Sequence, residues 1–386
     1  MKSKCVIIAG EMSADILGSE IISNNQEIDW FGVGGPLMRA RANNLTNIIN
    51  WEKISGFGLT DVMFKLPSLF FNAFSLANKI IDIKPKLIIT VDTKGFNFFL
   101  IKIIRKKIKN INYKPKFIHL VAPTVWAWRP NRAKKLNGLV DKLLCLFPNE
   151  TGYFRKFKIN AEFVGHPAVQ NFSIKKDRKS LFTLLGMPDN EEIIISLLPG
   201  SRASEVRKML PILISTVGLL KNKIKKPILF VLQAASNQEK LIKDLLNNSS
   251  DNIIVLGQEI TGSLLTSSSD YSIITSGTAT LEYALSGVPS IAIYKTNLIS
   301  AAIGRKIINM DNIILPNWIL GKKVMDFLFQ EECNAKKISE TMLSLILDKE
   351  KHKKVSNFSS DLKKLLTANN KTFNDNLSQI IKQSLI

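Results

Sequence analysis

Leu197–Lys208 reads LLPGSRASEVRK, and Ser276–Lys295, about 75 residues further on, reads SGTATLEYALSGVPSIAIYK. An apolar run precedes each turn, IIISLL for the first and YSIIT for the second. Each run has the length and composition of a buried strand. Each is followed by Gly with hydroxyl residues and then by a helical pattern. Such a turn offers free backbone N–H groups at the positive end of a helix dipole, so it attracts phosphate. Arg202 adds a planar cation suited to two phosphate oxygens. Glu282, one turn inside the second helix, offers an acceptor pair for ribose hydroxyls. Walker A spacing is absent, and so is a GxGxxG hydride-cofactor fingerprint. Either segment alone would pass for an ordinary strand-to-helix turn of an α/β fold. The two together, with Arg202 and Glu282, point to a nucleotide diphosphate site.

The runs around these segments extend the same pattern in both directions. Before them lie Lys4–Ala9, Phe31–Val33, Leu87–Val91, Phe117–Ala122 and Lys142–Phe147, with helical patterns between most. After a polar break at Asn171–Lys179 come Glu192–Leu198, Ile228–Gln233, Ile253–Leu256, Tyr271–Thr275 and Ser290–Tyr294. Continuous apolar strands alternating with helices predict parallel sheets covered on both faces. The expected fold is therefore α/β, two Rossmann-like domains facing each other across a cleft. The boundaries read as 1–172 for the first domain, 173–345 for the second and 346–386 for a Lys-rich helical tail. Ligands of such sheets gather at the carboxyl ends of the strands. GEMSAD (Gly10–Asp15), Asp92 and VAPTVWAWRPNR (Val121–Arg132) all fall at that edge in the first domain.

Bulk composition narrows the class. Of the 386 residues 45% are hydrophobic and 22% charged, as in a globular protein with full cores. Lys and Arg number 53 against 32 Asp and Glu, a net charge of +21. That favours an anionic partner such as a phosphorylated substrate, an anionic membrane or nucleic acid. Abundant Ile, Asn and Lys give the same charge through compositional drift alone. Cys5, Cys145 and Cys333 form no CxxC and no disulfide framework, which predicts a reducing compartment. His119, His166 and His352 lie far apart, so no metal site is expected. The apolar part of MKSKCVIIAGEMSAD is too short for a signal peptide, and no run of about 18 apolar residues predicts a membrane span.

One helix carries more apolar surface than a core needs. Leu66, Leu69, Phe70, Ala73, Phe74, Ala77, Ile80 and Ile81 make a core stripe at helical spacing. Phe71 falls off the stripe and Phe64 precedes it, with Lys65 and Lys79 alongside. Aromatics beside lysines suit a surface that dips into lipid headgroups, and they suit a domain interface equally well.

VAPTVWAWRPNRAKKL, with GEMSADILG, FGVGGPLM, FVGHP, LLPGSRASEVRK, SGTATLEYAL and LPNWIL, resembles the lipid-A-disaccharide synthase family. These motifs run from residue 10 to residue 320, and VWAWRPNR is the most specific of them. The resemblance implies a GT-B glycosyltransferase of a bacterial cytoplasm, held peripherally at the inner membrane. It implies transfer from UDP-2,3-diacylglucosamine to 2,3-diacylglucosamine 1-phosphate, giving a β-1′,6-linked disaccharide phosphate and UDP. No cofactor, metal or nucleic acid is implied, and a homodimer is compatible with it. The donor site would comprise Gly200, Ser201, Arg202, Glu205, Ser276, Gly277, Thr278, Thr280, Glu282 and Asn317. Acceptor and lipid would meet Trp126, Trp128, Arg129, Asn131, Arg132, Phe64 and Phe71, with Lys134 and Lys135 adding to the basic cluster.

An α-linked donor and a β-linked product require inversion. One base must take the proton of the attacking hydroxyl, and the leaving diphosphate needs positive charge but little acid. Asp92 is the candidate base, and a capping role for it is the alternative. Asp15 and Glu11 stand behind it, and Asp15 could equally hold its loop. The family pattern D-x-P-D-F-N is here Asp92-Thr93-Lys94-Gly95-Phe96-Asn97, so the second acid is Gly95 and the Pro is Lys94. Ala14 replaces the usual Gly before Asp15. Another UDP-sugar enzyme, an epimerase or the transferase acting on a peptidoglycan lipid, would share the phosphate turns but not VWAWRPNR. A basic RNA-binding protein would need RNP, KH or zinc-knuckle motifs, and none is present.

Overall fold

The computed structural model describes residues 2–41, 45–54, 61–124, 130–172, 174, 176–189, 191–235, 237–246, 253–257, 261–297, 301 and 313–386. The chain divides into two compact units. The first comprises Met1–Pro167 with Leu366–Ile386, and the second Ala168–Leu365.

In the first unit the strands are β1 (Lys4–Ala9), β2 (Asp29–Val33), β3 (Leu45–Asn47), β4 (Leu87–Val91), β5 (Lys116–Leu120), β6 (Lys142–Cys145) and β7 (Ala161–Phe163). The helices are α1 (Met12–Ser23), α2 (Pro36–Arg41), α3 (Asp61–Ile83), α4 (Lys94–Ile108) and α5 (Pro148–Arg155). The strands pair in parallel in the order β3-β2-β1-β4-β5-β6-β7. Because both faces are covered, β1 and β4 are buried along almost their whole length. The strand order reverses between β1 and β4, where Ala9 stands beside Val91.

The second unit repeats this plan with β8 (Ile193–Leu198), β9 (Ile228–Gln233), β10 (Ile253–Leu256), β11 (Tyr271–Thr275), β12 (Ser290–Tyr294) and β13 (Asp326–Phe329). Its helices are α6 (Ala168–Asn171), α7 (Arg178–Leu185), α8 (Ala203–Lys223), α9 (Glu239–Leu246), α10 (Gly262–Ser268), α11 (Ala279–Leu285), α12 (Leu315–Leu320), α13 (Ala335–Leu347) and α14 (Lys349–Leu366). The parallel order β10-β9-β8-β11-β12-β13 reverses between β8 and β11, with Leu198 beside Ile274.

Three strands absent from the sequence-based reading are β3, β7 and β13. All are short, and each closes one edge of its sheet. A strand of three or four residues with one open side carries too little periodicity to be seen in sequence. The tail also differs from expectation. It does not stand apart, because the C-terminal helix Phe373–Leu385 packs back on the first unit. Phe373, Leu377, Ile380 and Ile381 join the cluster that holds Ile21, Ile22 and Trp30. Their spacing is one helical stripe, and burying four such side chains contributes about 6–12 kcal/mol. Asn376 locks the register, its Nδ2 donating to the carbonyls of Ala368 (3.1 Å), Thr372 (3.1 Å) and Val164 (3.3 Å).

Helix α3 begins at Asp61, so Phe64 lies inside it rather than ahead of it. The core stripe is narrower than its sequence suggests. Ala73, Leu76, Ala77 and Ile80 are buried, whereas Phe70 and Phe74 are half exposed and meet Phe99 of α4 edge-on at 4.7 and 6.2 Å. Phe71 is 75% exposed.

Candidate active site

At the reversal point of the first sheet, two strand-end turns touch. The turn after β1 starts at Gly10, and a Cβ there would sit 2.8 Å from the Thr93 methyl. Only a residue without a side chain lets the turn after β4 approach so closely. That second turn is strained, since Asp92 (φ 43°) and Thr93 (φ 39°) are consecutive left-handed residues that are not glycine. Such strain costs on the order of 1–3 kcal/mol per residue and persists where the surroundings impose it. Asn97 of α4 does so here. Its buried amide donates to the carbonyls of Val91 (3.1 Å) and Asp92 (2.9 Å). Trp51 steadies the neighbouring strand end through its indole N–H to Ala9 O at 2.9 Å.

The result is a partly open carboxylate. Asp92 Oδ1 lies 3.3 Å from Lys94 Nζ, with about a quarter of the Asp92 side chain exposed. The N-terminal residue flanking α4 is Thr93, so Asp92 is not the helix cap. Lys94 is a partner that sequence reasoning passed over as a mere departure from Pro. Gly95 sits in the first turn of α4, and a Cβ there meets nothing within 4 Å. The ring of His119 is no rival base. It is fully buried and bonded to Thr90 Oγ1 at 2.8 Å. Loss of solvent, helped by the charge of Lys94, pushes its pKa down to about 3.

Asp15 serves structure instead. It is fully buried on α1, and its carboxylate accepts from the backbone N–H groups of Gly35 (2.7 Å), Leu37 (2.8 Å) and Met38 (3.1 Å). It thereby caps α2 from 20 residues away and complements the helix dipole. A Cβ on Gly35 would strike Asp15 Oδ2 at 2.6 Å, which explains the GGP sequence at that point. Glu11 precedes α1 in extended conformation, exposed and without a side-chain cap bond to the helix.

In the second unit, β8 and β11 are neighbours, so the two turns quoted first lie side by side at one strand edge. Gly200 (φ 110°) turns the chain into α8. Glu205 of that helix reaches back, its Oε2 accepting from the N–H of Ser201 (3.2 Å) and Arg202 (3.3 Å). Its Oε1 holds Arg202 Nη1 at 2.7 Å. Glu205 is thus the internal carboxylate that shapes the turn, and Arg202 keeps a side chain 73% exposed. A Cβ on Gly200 would lie 2.7 Å from Glu205, so glycine is required by sterics as well as by φ.

The turn after β11 is open. Gly277 and Thr278 are exposed and Ser276 half so, while buried Thr280 ties its hydroxyl to Gly277 O at 2.7 Å. The Glu282 carboxylate on α11 has no hydrogen-bond donor among the described residues, and desolvation raises its pKa. An acceptor left unmade in a desolvated place is suited to a ligand's hydroxyl groups.

Asn317 does not fit the donor role expected for it. Its Oδ1 accepts from Val324 N and Met325 N, and its Nδ2 donates to Met325 O, all at 2.9 Å. The amide pins the turn between α12 and β13, which commits its oxygen and one of its two N–H groups. Trp126, Trp128 and Arg129 lie outside the described residues, as do the side chains of Asn131, Arg132 and Phe64. Lys134 and Lys135 are exposed on the 3-10 helix Pro130–Leu136.

A family model described as lipid-A-disaccharide synthetase matches residues 5–381. The chain belongs to the lipid-A-disaccharide synthetase family. The lipid-A-disaccharide synthase of Hydrogenovibrio crunogenus is 35% identical over 351 residues, 89% of this chain and 90% of that protein. That of Rickettsia prowazekii is 30% identical over 387 residues, 99% of this chain and 100% of that protein. Among solved structures, the UDP-GlcNAc 2-epimerase of Neisseria meningitidis bound to UDP-GlcNAc aligns with TM-score 0.61 at 14% identity, covering both chains fully. MurG of Acinetobacter baumannii aligns with TM-score 0.56 at 12% identity, over 98% of this chain and 99% of that one. At such identities the structures speak for the fold alone, and it is that of GT-B proteins. As a member of the synthetase family, the chain is a hexosyltransferase of lipid A biosynthesis that forms the lipid A disaccharide.

Proposed function

We propose that the second unit binds the UDP moiety of UDP-2,3-diacylglucosamine and that Asp92 of the first unit is the base of an inverting transfer to 2,3-diacylglucosamine 1-phosphate. The observation that carries the donor assignment is the adjacency of the turns Gly200–Arg202 and Ser276–Thr278. They follow neighbouring parallel strands at the reversal point of the sheet, where α/β folds bind nucleotides. In this reading the N–H groups of Gly277 and Thr278 and the free face of Arg202 take the diphosphate, and Glu282 takes the ribose hydroxyls. The leaving UDP carries its own negative charge, which Arg202 and two helix N-termini stabilise, so the reaction needs no divalent ion.

Asp92 is the acid at the corresponding point of the first sheet. As a carboxylate it accepts the proton of the acceptor's 6-hydroxyl while that oxygen attacks the anomeric carbon and the bond to UDP breaks. Lys94 orients the carboxylate, and Asn97 holds the backbone beneath it. The enzyme reaches its lipids by resting on the inner membrane surface through the aromatic face of α3 around Phe71. No helix among the described residues is long and apolar enough to cross a membrane.

Calorimetry with UDP tests the donor site. Arg202→Ala and Glu282→Ala each remove a charge-assisted hydrogen bond, about 1.5–3 kcal/mol, and should weaken UDP binding roughly tenfold to a hundredfold. Unchanged affinity in both variants rejects the two-turn site.

A further inference from the structure

The second sheet has a cavity of about 690 Å³ at its other edge, where the strands begin. Ile193 opens β8, Tyr271 opens β11, and Ile224–Lys226 link α8 to β9, so the cavity lies at the strand edge opposite the two phosphate turns. Lys223, Lys225 and Lys226 stand at it, all exposed, and none pairs with an acid among the described residues. Lys176 is the fourth cation, its ammonium donating to Ser269 O. The lining acid, Asp270, is already engaged, by Arg178 at 2.8 Å and by the N–H of Ile194 at 3.0 Å.

Apart from Tyr271, His352 and Ser356, the remaining wall is apolar. Ile224 and Leu343 are half buried, and Leu347 at the end of α13 is 79% exposed. Three ammonium groups, none paired with an acid among the described residues, thus stand beside an exposed leucine. The lysines can take a counter-charge and the leucine a cover. A molecule with an anionic head and a hydrocarbon chain supplies both.

We propose that this cavity binds a single phosphate monoester bearing an alkyl chain. The phosphate meets Lys223, Lys225 and Lys226, and the chain covers Ile224, Leu343 and Leu347. This site is separate from the donor turns and holds whether or not the donor assignment does.

His352 is a built-in reporter. Its Nε2 lies 3.0 Å from both Tyr271 Oη and Leu345 O on the cavity wall, whereas the other two histidines belong to the first unit. The test uses the full chain with isotopically labelled histidine, His352 being assigned by loss of its signal in His352→Gln. Dodecyl phosphate, added below its micelle concentration, should move the His352 signal saturably. The triple variant Lys223→Gln, Lys225→Gln, Lys226→Gln should need at least tenfold more. Leu347→Asp, at a side chain that is already exposed, should show a loss of the same order and serves if the triple variant fails to fold. Inorganic phosphate and dodecyl maltoside should each fail to saturate the shift. No shift with dodecyl phosphate, or equal potency in both variants, overturns the proposal. Equal potency of inorganic phosphate makes the site one for free phosphate, and equal potency of the maltoside makes it a nonspecific apolar patch. Vesicles containing phosphatidylglycerol that match dodecyl phosphate make it a bilayer surface. Each of these three outcomes also overturns it.

Discussion

Asp92→Asn separates a base from a structural acid, because the two roles predict effects of very different size. The substitution preserves the fold. Asparagine tolerates the left-handed φ of 43° at this position. The Asn97 bond to the Asp92 carbonyl involves backbone and survives. The Lys94 contact at 3.3 Å is an exposed-to-intermediate ion pair, worth under about 1 kcal/mol. The melting temperature should therefore fall by no more than about 2–4 °C. If Asp92 takes the hydroxyl proton, turnover should fall about 10²–10⁴-fold, roughly 2.7–5.5 kcal/mol of barrier, with UDP affinity unchanged. The assay is UDP release with both acylated substrates, run beside calorimetry and a thermal melt. Retention of turnover within about threefold would refute the reasoning. Gly95→Asp is the control, since it restores the acid that the family pattern carries at that place. A Cβ there meets nothing, and an acid in the first turn of α4 replaces a helix glycine, so stability should rise by about 1 kcal/mol. If that variant gains activity several-fold and then tolerates Asp92→Asn, the base belongs at position 95 and this chain works with a displaced one.

Glu282→Gln should raise the melting temperature at pH 7 while weakening UDP binding. Burial lifts the carboxyl's pKa in the folded chain, so ionisation above that value costs stability; the gain should vanish on lowering the pH through the ordinary carboxylate range, where both forms are neutral. A variant less stable than the parent at pH 7 would contradict it. Asp15→Ala leaves three backbone N–H groups without their acceptor and should cost about 3 kcal/mol or more, seen as a melting point lowered by roughly 6–12 °C; a fall in turnover without loss of stability would instead restore Asp15 as a base. Phe71→Ser should reduce binding to anionic vesicles about tenfold, the effect of one aromatic side chain of about 1.5 kcal/mol or more, with the melt unchanged; equal vesicle binding removes α3 from the docking surface.

Much of this protein is legible locally. A buried parallel strand is an unbroken apolar run, and a strand-to-helix phosphate turn is Gly with hydroxyls at the end of that run. Both signals occupy fewer than a dozen consecutive residues, which is why β1, β4, β8 and β11 and the Gly turns after β8 and β11 stand out in the bare sequence. The order of the strands is another matter. That β8 lies beside β11 and β1 beside β4 follows from which crossover packs where, and this brings together turns tens of residues apart. Side-chain roles divide along the same line. Arg202 and Glu282 keep exposed or unsatisfied groups, which leaves both open to a ligand. Asp15, Asn317 and Glu205 are equally polar in sequence, yet each carboxylate or amide is held by backbone groups of its own unit, up to 23 residues away for Asp15. Lys94 and Asn97 gain their meaning from a strained turn that no local pattern announces. The C-terminal helix shows its apolar stripe plainly, but a stripe does not name the surface that it covers. Periodicity determines which face of an element is apolar; only the folded chain decides what that face, or a buried polar atom, meets.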